Sequence, residues 1–367
     1  MYSSRAWNDA RLSRRIDSLA DRGARYAYTR NGDNTVSFSG QSARMICAEE
    51  IMAKMGDVND DGSTLVEMFE GTGVFAHPLA EALKGSKRLS STVGAASEMN
   101  AEVASRLEAI LASRNGMDLS VTASDGEAGV LGNPEKRRVI LNSQGYEINQ
   151  VFMKSCIGAL CADQIINKYL GDSMMGVEGS EIEKTNSDKQ IEAYGKTYTA
   201  MEHNFDEAFG YFYGRAHDAG ALSLAQPTGG KNDAMLYKYL IYIDGGAQPG
   251  IAKELLAAYI KGRSAIVAND YAERDEAREE IKALVKRIVL LRSIYYVESA
   301  MKKLVDGKAP AADDDKMASF SHSLSEGVGF LYSLRFTHGV ELDVLESAWD
   351  MTREDLQAYR DELAKLE

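Results

Sequence analysis

The chain contains EHNFDEAFGYFYG at residues 202–214 and a similar stretch, SHSLSEGVGFLYS, at residues 321–333. An alignment without gaps matches a histidine, a glutamate and a glycine in register. The matched pairs are His203 with His322, Glu207 with Glu326, and Gly210 with Gly329. Because positions four apart lie on one face of an α-helix, each stretch presents an imidazole beside a carboxylate. The duplication therefore predicts two similar helices, each with one histidine-glutamate pair.

Most of the chain has the hydrophobic spacing of amphipathic helices, with apolar residues recurring three and four positions apart. Only five prolines occur in 367 residues, so little interrupts this pattern. We predict helices over residues 41–55, 76–85, 97–114, 146–170, 197–215, 249–268, 270–306, 314–334 and 352–366. The fold class that follows is mainly α.

Two other stretches have strand character. Residues 26–40, YAYTRNGDNTVSFSG, alternate apolar and polar side chains around Asn31-Gly32. This dipeptide is typical of a two-residue turn, so we predict a small β-hairpin near the N-terminus. Residues 119–142 have weaker strand character and are predicted to form a second ribbon.

An apolar helix precedes each motif, which indicates a repeating unit of helix, loop and motif helix. We therefore predict a polar segment at residues 1–23 and two helical-bundle halves, 24–215 and 216–367, related by a pseudo-two-fold axis. Glycine inside a helix costs about 1 kcal/mol relative to alanine. Because this cost recurs at Gly210 and Gly329, we expect the two motif helices to approach each other closely. Both histidine-glutamate pairs would then face one cleft.

Charge and cysteine content exclude several classes of protein. A formal charge of −13 argues against nucleic-acid binding, which depends on clustered Lys and Arg. The three cysteines contain no Cys-x-x-Cys spacing, so neither a disulfide framework nor a cysteine metal site is expected. No apolar run reaches the length of a membrane span, and the first 23 residues lack the apolar core of a secretory signal.

The motif residues have the donor atoms of a metal site. Imidazole and carboxylate together suit iron, manganese, zinc or nickel, and helical bundles build such sites from facing helices. The predicted ligands are His203, Glu207, His322, Glu326 and Asp206. The predicted cleft-lining residues are Glu202, Tyr213, Tyr332, Arg44 and Arg263. The two arginines would face an anionic ligand or, as the alternative, pair with surface carboxylates. The alternative is structural, with each histidine bonded to a carboxylate across a helix interface.

A second candidate site is DVNDDG, residues 57–62, which reproduces the opening of a calcium-binding loop. Its ligands would be Asp57, Asn59 and Asp61. The twelfth position of such a loop requires a bidentate glutamate, but Met68 occupies it here. A solvated turn is therefore the favoured interpretation, with calcium as the alternative.

Five blocks of the sequence, in order, resemble an uncharacterised family of bacterial envelope proteins, usually lipoproteins, related to imelysin. The blocks are SFSGQSARM (37–45), DQIINKYL (163–170), YTAMEHNFDEAFGYFYG (198–214), KGRSAIVANDYAERD (261–275) and SHSLSEGVGFLYSLRF (321–336). The hallmark of the imelysin group is Gly-x-His-x-x-Glu. This chain departs from it, because Met201 replaces the glycine and Asp206 stands at the third position after His203.

The resemblance implies two helical halves with a shared cleft, iron as the favoured metal, and a cell-envelope location. Membrane association would then come only from a lipoprotein signal removed before residue 1. The function expected first is non-enzymatic binding of a metal, or of a metal-bearing or anionic ligand, between the halves. The alternative is a surface interaction or structural protein in which the histidine-glutamate pairs are only structural. A metallopeptidase is less favoured, because each helix offers a single histidine.

Overall fold

The computed structural model describes residues 25–191, 195–216, 222–229, 235–312, 315–342 and 347–367. Within them the protein is mainly helical with two small antiparallel hairpins, which confirms the predicted fold class. The predicted polar segment, residues 1–23, lies outside the described residues.

The helices follow in chain order. They are α1 (Ser39–Gly56), α2 (Leu65–Phe69), α3 (Pro78–Leu83), α4 (Asn100–Ala112), α5 (Ile148–Cys156), α6 (Asp172–Met175), α7 (Glu181–Ser187), α8 (Ala200–Tyr213), α9 (Leu236–Asp244), α10 (Ile251–Ala268), α11 (Tyr271–Met301), α12 (Asp315–His338) and α13 (Arg353–Ala364). Two π-helical segments, Ile157–Ala162 and Gln164–Tyr169, continue α5. The first motif lies on α8 and the second on α12, as predicted.

Local sequence explains where α8 begins and α10 ends. Thr199 precedes α8, and its hydroxyl accepts a hydrogen bond from the Glu202 backbone N–H while the Glu202 carboxylate accepts one from Thr199 N–H. This capping box satisfies two helix-end donors that would otherwise lack partners. Asn269 ends α10 in the left-handed conformation, with φ of 61°, a role that asparagine tolerates better than most residues.

Both predicted hairpins are confirmed. Strands β1 (Thr29–Arg30) and β2 (Asp33–Asn34) pair antiparallel across Asn31 and Gly32. Both turn residues have positive φ, 56° and 92°, which is the requirement of the two-residue turn that matches strand twist. Strands β3 (Gly129–Asn133) and β4 (Arg137–Leu141) form the second ribbon.

The chain folds into two compact units, each assembled from segments distant in sequence. Unit 1 comprises Met1–Phe38, Tyr169–Asp233 and Tyr237–Leu284, and unit 2 comprises Ser39–Lys168, Ala234–Leu236 and Val285–Glu367. This division differs from the predicted halves, 24–215 and 216–367. The difference arises because α5, which precedes the first motif in sequence, belongs to the unit that contains the second.

Unit 1 is built around α8, which packs against α6, α7 and α10. Its core is aromatic. The rings of Tyr26 and Phe209 stack at 3.8 Å, and the ring of Tyr259 meets that of Phe209 edge-on at 5.4 Å. All three side chains are buried, and such ring pairs contribute about 0.5–1.5 kcal/mol beyond their buried area.

Unit 2 is built around α12, which packs against α5, the first π-helical segment and the second hairpin. Small residues make this packing close. A Cβ added at Gly158 would lie 2.5 Å from the Ser333 Cβ, and one added at Gly329 would lie 2.9 Å from the Ser155 backbone nitrogen. The prediction that Gly329 faces the other motif helix is therefore wrong, because the close neighbour of Gly329 is α5.

None of the helices in the described part of the chain combines the length and the apolar composition needed to cross a bilayer.

Candidate functional site

The first motif forms a buried charge network within unit 1. Arg263 of α10 donates from Nε to Asp206 Oδ1 at 2.9 Å, and the Tyr26 hydroxyl donates to the same oxygen at 2.6 Å. The side chains of Arg263 and Asp206 are both fully buried. Burial alone would lower the pKa of Arg263, but the negative charge of Asp206 outweighs it and raises this pKa above its ordinary value. Arg263 is therefore a permanent internal cation.

Glu202 extends this network toward the first hairpin. Its carboxylate accepts hydrogen bonds from Arg30 of β1 at 2.8 and 3.0 Å and lies 3.4 Å from Arg263 Nη1. Two carboxylates and two guanidinium groups thus occupy the network. Such compensation is what burial of charge requires, because an unpaired buried ion costs several kcal/mol.

Two polar atoms that α8 contributes to this region have no hydrogen-bond partner among the described residues. They are His203 Nδ1 and Asp206 Oδ2, both buried and three positions apart on α8. The His203 ring stacks on Tyr198 at a centroid distance of 4.4 Å. These atoms can bind a water molecule or a cation, since buried polar groups in proteins almost always have a hydrogen-bond or ionic partner.

The second motif forms another network, within unit 2, around His322. Its Nδ1 lies 2.6 Å from Glu147 Oε2, and its Nε2 lies 3.3 Å from Glu326 Oε2. Burial alone would lower the pKa of His322, but the hydrogen bonds to Glu147 and Glu326 outweigh it and raise this pKa. The imidazole is therefore more readily protonated than that of a free histidine, and in the protonated state each ring nitrogen donates to one carboxylate.

Lys154 of α5 completes the network from the opposite side. Its Nζ donates to Gln150 Oε1 at 2.6 Å and lies 3.3 Å from Glu326 Oε1, which also accepts from the Tyr296 hydroxyl at 3.0 Å. Burial alone would raise the pKa of Glu326, but His322 and Lys154 lower it to about 2. Burial lowers the pKa of Lys154, and the charge of Glu326 opposes that change.

This geometry bears on the predicted metal site. The two carboxylates around His322 approach opposite ring nitrogens, so a single ion bound to one nitrogen would contact only one of them. Across the described residues, no group of three or more His, Cys, Asp or Glu side chains is arranged to hold a metal ion. His203 lies in unit 1 and His322 in unit 2. Convergence of both pairs on one cleft stays a prediction.

The other predicted lining residues occupy separate places. Tyr213 is buried in the aromatic core of unit 1, with its ring 5.8 Å from that of Tyr259. Tyr332 is buried in unit 2 beneath Arg106, whose guanidinium lies 4.2 Å above the ring. Glu207 is half-buried on α8. Arg44 lines a small cavity of unit 2.

The candidate calcium loop is folded around a guanidinium group. Arg114, fully buried, donates to the backbone carbonyls of Met55, Asp57 and Asp60. The Asp57 carboxylate accepts from the backbone and the side chain of Asn59. The Asp61 carboxylate accepts from the Ser63 backbone N–H. These are the contacts of a polar turn stabilised from within.

Several network members were not predicted from the sequence. Glu147 and Tyr26 lie 175 and 180 positions from their partners, so no local spacing relates them. Lys154 did carry a signal, because it is the only charged residue in the apolar run Val151–Ala162. A lone lysine in such a run indicates a buried ion pair, since lysine is almost never fully buried unless paired.

The fold and these networks define a class: a mainly helical protein in which the motif carboxylates Asp206 and Glu326 are paired with internal cations. A family model, the domain of unknown function DUF4856, matches residues 23–365. The chain therefore belongs to this family, and the match includes both motifs and both hairpins. No curated protein matches the chain, and no solved structure matches it either.

Proposed function

We propose that this is a non-enzymatic interaction protein of the bacterial cell envelope, with a helical scaffold that the two motif networks hold in shape. One observation carries the proposal: the motif carboxylates are paired inside their own units, Asp206 with Arg263 and Glu326 with Lys154. Both oxygens of Glu326 have partners, Lys154 and Tyr296 at Oε1 and His322 at Oε2, so this carboxylate has little remaining capacity for a metal or a reacting group. Removing one partner of such a pair is strongly destabilising.

Thermal unfolding of Glu326→Gln tests this structural role. We expect the variant to unfold at a lower temperature than wild type, and we expect iron, zinc and EDTA to leave the wild-type midpoint unchanged. Glu354→Gln, an exposed change of the same charge on α13, is the matched control and should unfold close to wild type. A metal that raises the wild-type midpoint, but not that of Glu326→Gln, would overturn the proposal, because a ligand bound to the native state stabilises it.

Metal binding is a second candidate, and one observation favours it. His203 Nδ1 and Asp206 Oδ2 are buried without a partner among the described residues, and they are a nitrogen and an oxygen donor of the kind that iron and zinc accept. Metal analysis of protein purified without chelator tests this function. Stoichiometric metal in wild type and in His77→Gln, but not in His203→Gln, would support it. Metal-free wild type would remove it.

The envelope location and the relationship to imelysin are supported by the five similar sequence blocks. Fractionation of bacteria that express the protein from its own gene tests the location. We expect the protein in the envelope fraction, and a purely cytosolic distribution would contradict this part of the proposal.

A further inference from the structure

Unit 2 contains a half-open cavity of about 240 Å³. It lies where α1, the turn after residue 90 and the second π-helical segment meet. Its lining residues are Arg44, Ser91, Thr92, Ala95, Ala96, Gln164 and Lys168. Gln164 and Lys168 are four positions apart on a helical segment, so they lie on the same side of it.

The lining is cationic in an acidic protein. It contains one guanidinium, one ammonium, two hydroxyls and an amide, but no carboxylate, whereas the whole chain has a formal charge of −13. Asp163 adjoins Gln164 in sequence, but it is buried and its oxygens accept from the Ala96 backbone N–H and from Asn167. The hydrogen-bonding capacity of this carboxylate is therefore directed to its own surroundings, and the charged residues that line the cavity are Arg44 and Lys168.

Arg44 is held in position before any ligand arrives. Its Nε donates to the Thr92 hydroxyl at 3.1 Å, and this hydroxyl donates to the Arg88 carbonyl at 2.8 Å. Gln164 donates to the Thr92 carbonyl at 3.3 Å. The terminal nitrogens of Arg44 have no hydrogen-bond or ion-pair partner in the described part of the chain. A guanidinium fixed through Nε presents its remaining N–H groups in a fork that matches an oxyanion.

We propose that this cavity binds a small phosphate-type oxyanion. Arg44 would donate two charge-assisted hydrogen bonds, Lys168 would supply the second positive charge, and the Ser91 hydroxyl would add a neutral donor. The volume suits this class, since it exceeds the roughly 30 Å³ share of one water molecule and lies below the 300–1,000 Å³ typical of pockets for drug-sized ligands. The cavity shares no lining residue with either motif network, and the proposal does not depend on their role.

Isothermal titration of the full chain with inorganic phosphate, at constant ionic strength, tests the proposal. We expect saturable binding, weakened about tenfold or more in Arg44→Gln and in Lys168→Gln, because each change removes a charge-assisted contact. Arg353→Gln and Lys302→Gln are the matched controls. They make the same changes at exposed positions of unit 2 and should bind as wild type does.

A second titration, with glycerol 3-phosphate, distinguishes free phosphate from a phosphomonoester head group: tighter binding would favour the head group, and weaker binding free phosphate. Wild type that fails to bind either ligand up to roughly 10 mM, well beyond a millimolar Kd, would overturn the proposal. So would equal binding by Arg44→Gln, or saturation by citrate but not by phosphate. These results leave the structural role of the motifs untouched, since that role is tested by Glu326→Gln unfolding.

Discussion

Gly329 of α12 lies directly against Lys154 of α5. A Cβ on the glycine would lie closer to the Lys154 Cβ than two non-bonded carbon atoms can approach. Lys154 is therefore held where its ammonium group reaches Glu326, one helical turn before Gly329 on α12. The same short interhelical distance recurs one turn later. There, the Ser333 hydroxyl donates to the Lys154 carbonyl at 2.7 Å and accepts from the Gly158 backbone N–H at 2.9 Å. The close packing of α5 against α12 and the buried ion pair between Lys154 and Glu326 therefore involve the same two helices.

Gly329→Ala should destabilise the protein despite the better helix propensity of alanine. The propensity gain is about 1 kcal/mol, whereas overpacking a well-packed interface costs about 1–3 kcal/mol. A Cβ at this position would also lie 2.9 Å from the Ser155 backbone nitrogen. Relieving this contact would require a shift of the α5 backbone, which costs more free energy than a side-chain rotation. Urea unfolding measures the difference.

Gly327→Ala is the control on the same helix. A Cβ there would have the Tyr296 Cβ as its nearest neighbour, at 3.4 Å, which is an ordinary contact. This variant should be neutral or gain up to about 1 kcal/mol. If both alanine variants are equally stable, then α5 and α12 do not pack as closely as described.

Arg263→Met should remove about 3–5 kcal/mol of unfolding free energy, because it leaves Asp206 buried without its cation. Chemical denaturation monitored by circular dichroism gives the change. The control is Glu276→Gln. This change breaks the ion pair between Glu276 of α11 and Lys261, which lies on α10 as Arg263 does. Glu276 is 69% exposed, so this pair should contribute less than about 1 kcal/mol. Similar losses in the two variants would show that the Arg263 network does not stabilise unit 1.

The pH dependence of stability should contain a contribution from His322. Its pKa is raised above the ordinary 6.5 in the folded protein, so the folded state binds the proton more tightly than the unfolded state. The stabilisation is complete below about pH 6.5 and is lost as the pH rises through the folded pKa. We therefore expect wild type to lose stability as the pH rises above about 6.5, a range in which His322→Gln should change less. Parallel profiles for the two proteins would contradict this assignment.

At acidic pH, the contribution of Glu326 to stability depends on pH in the opposite direction to that of His322. Its pKa falls from 4.5 to about 2 in the folded protein. Its contribution is therefore present above about pH 4.5 and is lost as the pH falls toward 2. Glu326→Gln should lack this acid-side loss, which urea unfolding at a series of acidic pH values will measure. An equally steep decline in the variant would assign the loss to other carboxylates.

The sequence predicted what depends on local spacing. Helical periodicity placed α8, α10 and α12 within a few residues, and Asn31-Gly32 placed the first turn. Periodicity did not distinguish the π-helical continuation of α5, because apolar residues three and four apart fit both forms of helix over a short stretch. The segment 236–244 was also missed, since its nine residues were too short to stand out from the neighbouring connection.

The candidate site was predictable only where its residues share a helix. His322 and Glu326 are four positions apart, so their proximity follows from helix geometry. The partner of His322 on its other ring nitrogen, Glu147, comes from the start of a helix 175 positions away. Arg263 was predicted to line a cleft, and its pairing with Asp206 was not predicted because it depends on how α8 packs against α10. Long-range packing of this kind cannot be read from a single sequence.

Arg114→Met tests whether residues 57–62 form a polar turn or a calcium site. In wild type, the guanidinium satisfies three buried or half-buried carbonyls of the 55–60 segment. Each acceptor left unsatisfied costs about 1–3 kcal/mol, so the variant should lose about 3 kcal/mol or more of stability. Arg353→Met, at an exposed position, should stay within about 0.5 kcal/mol of wild type. Because Arg114 already occupies the loop carbonyls, calcium should leave the wild-type thermal midpoint unchanged. A rise in this midpoint with calcium would instead identify Asp57, Asn59 and Asp61 as ligands.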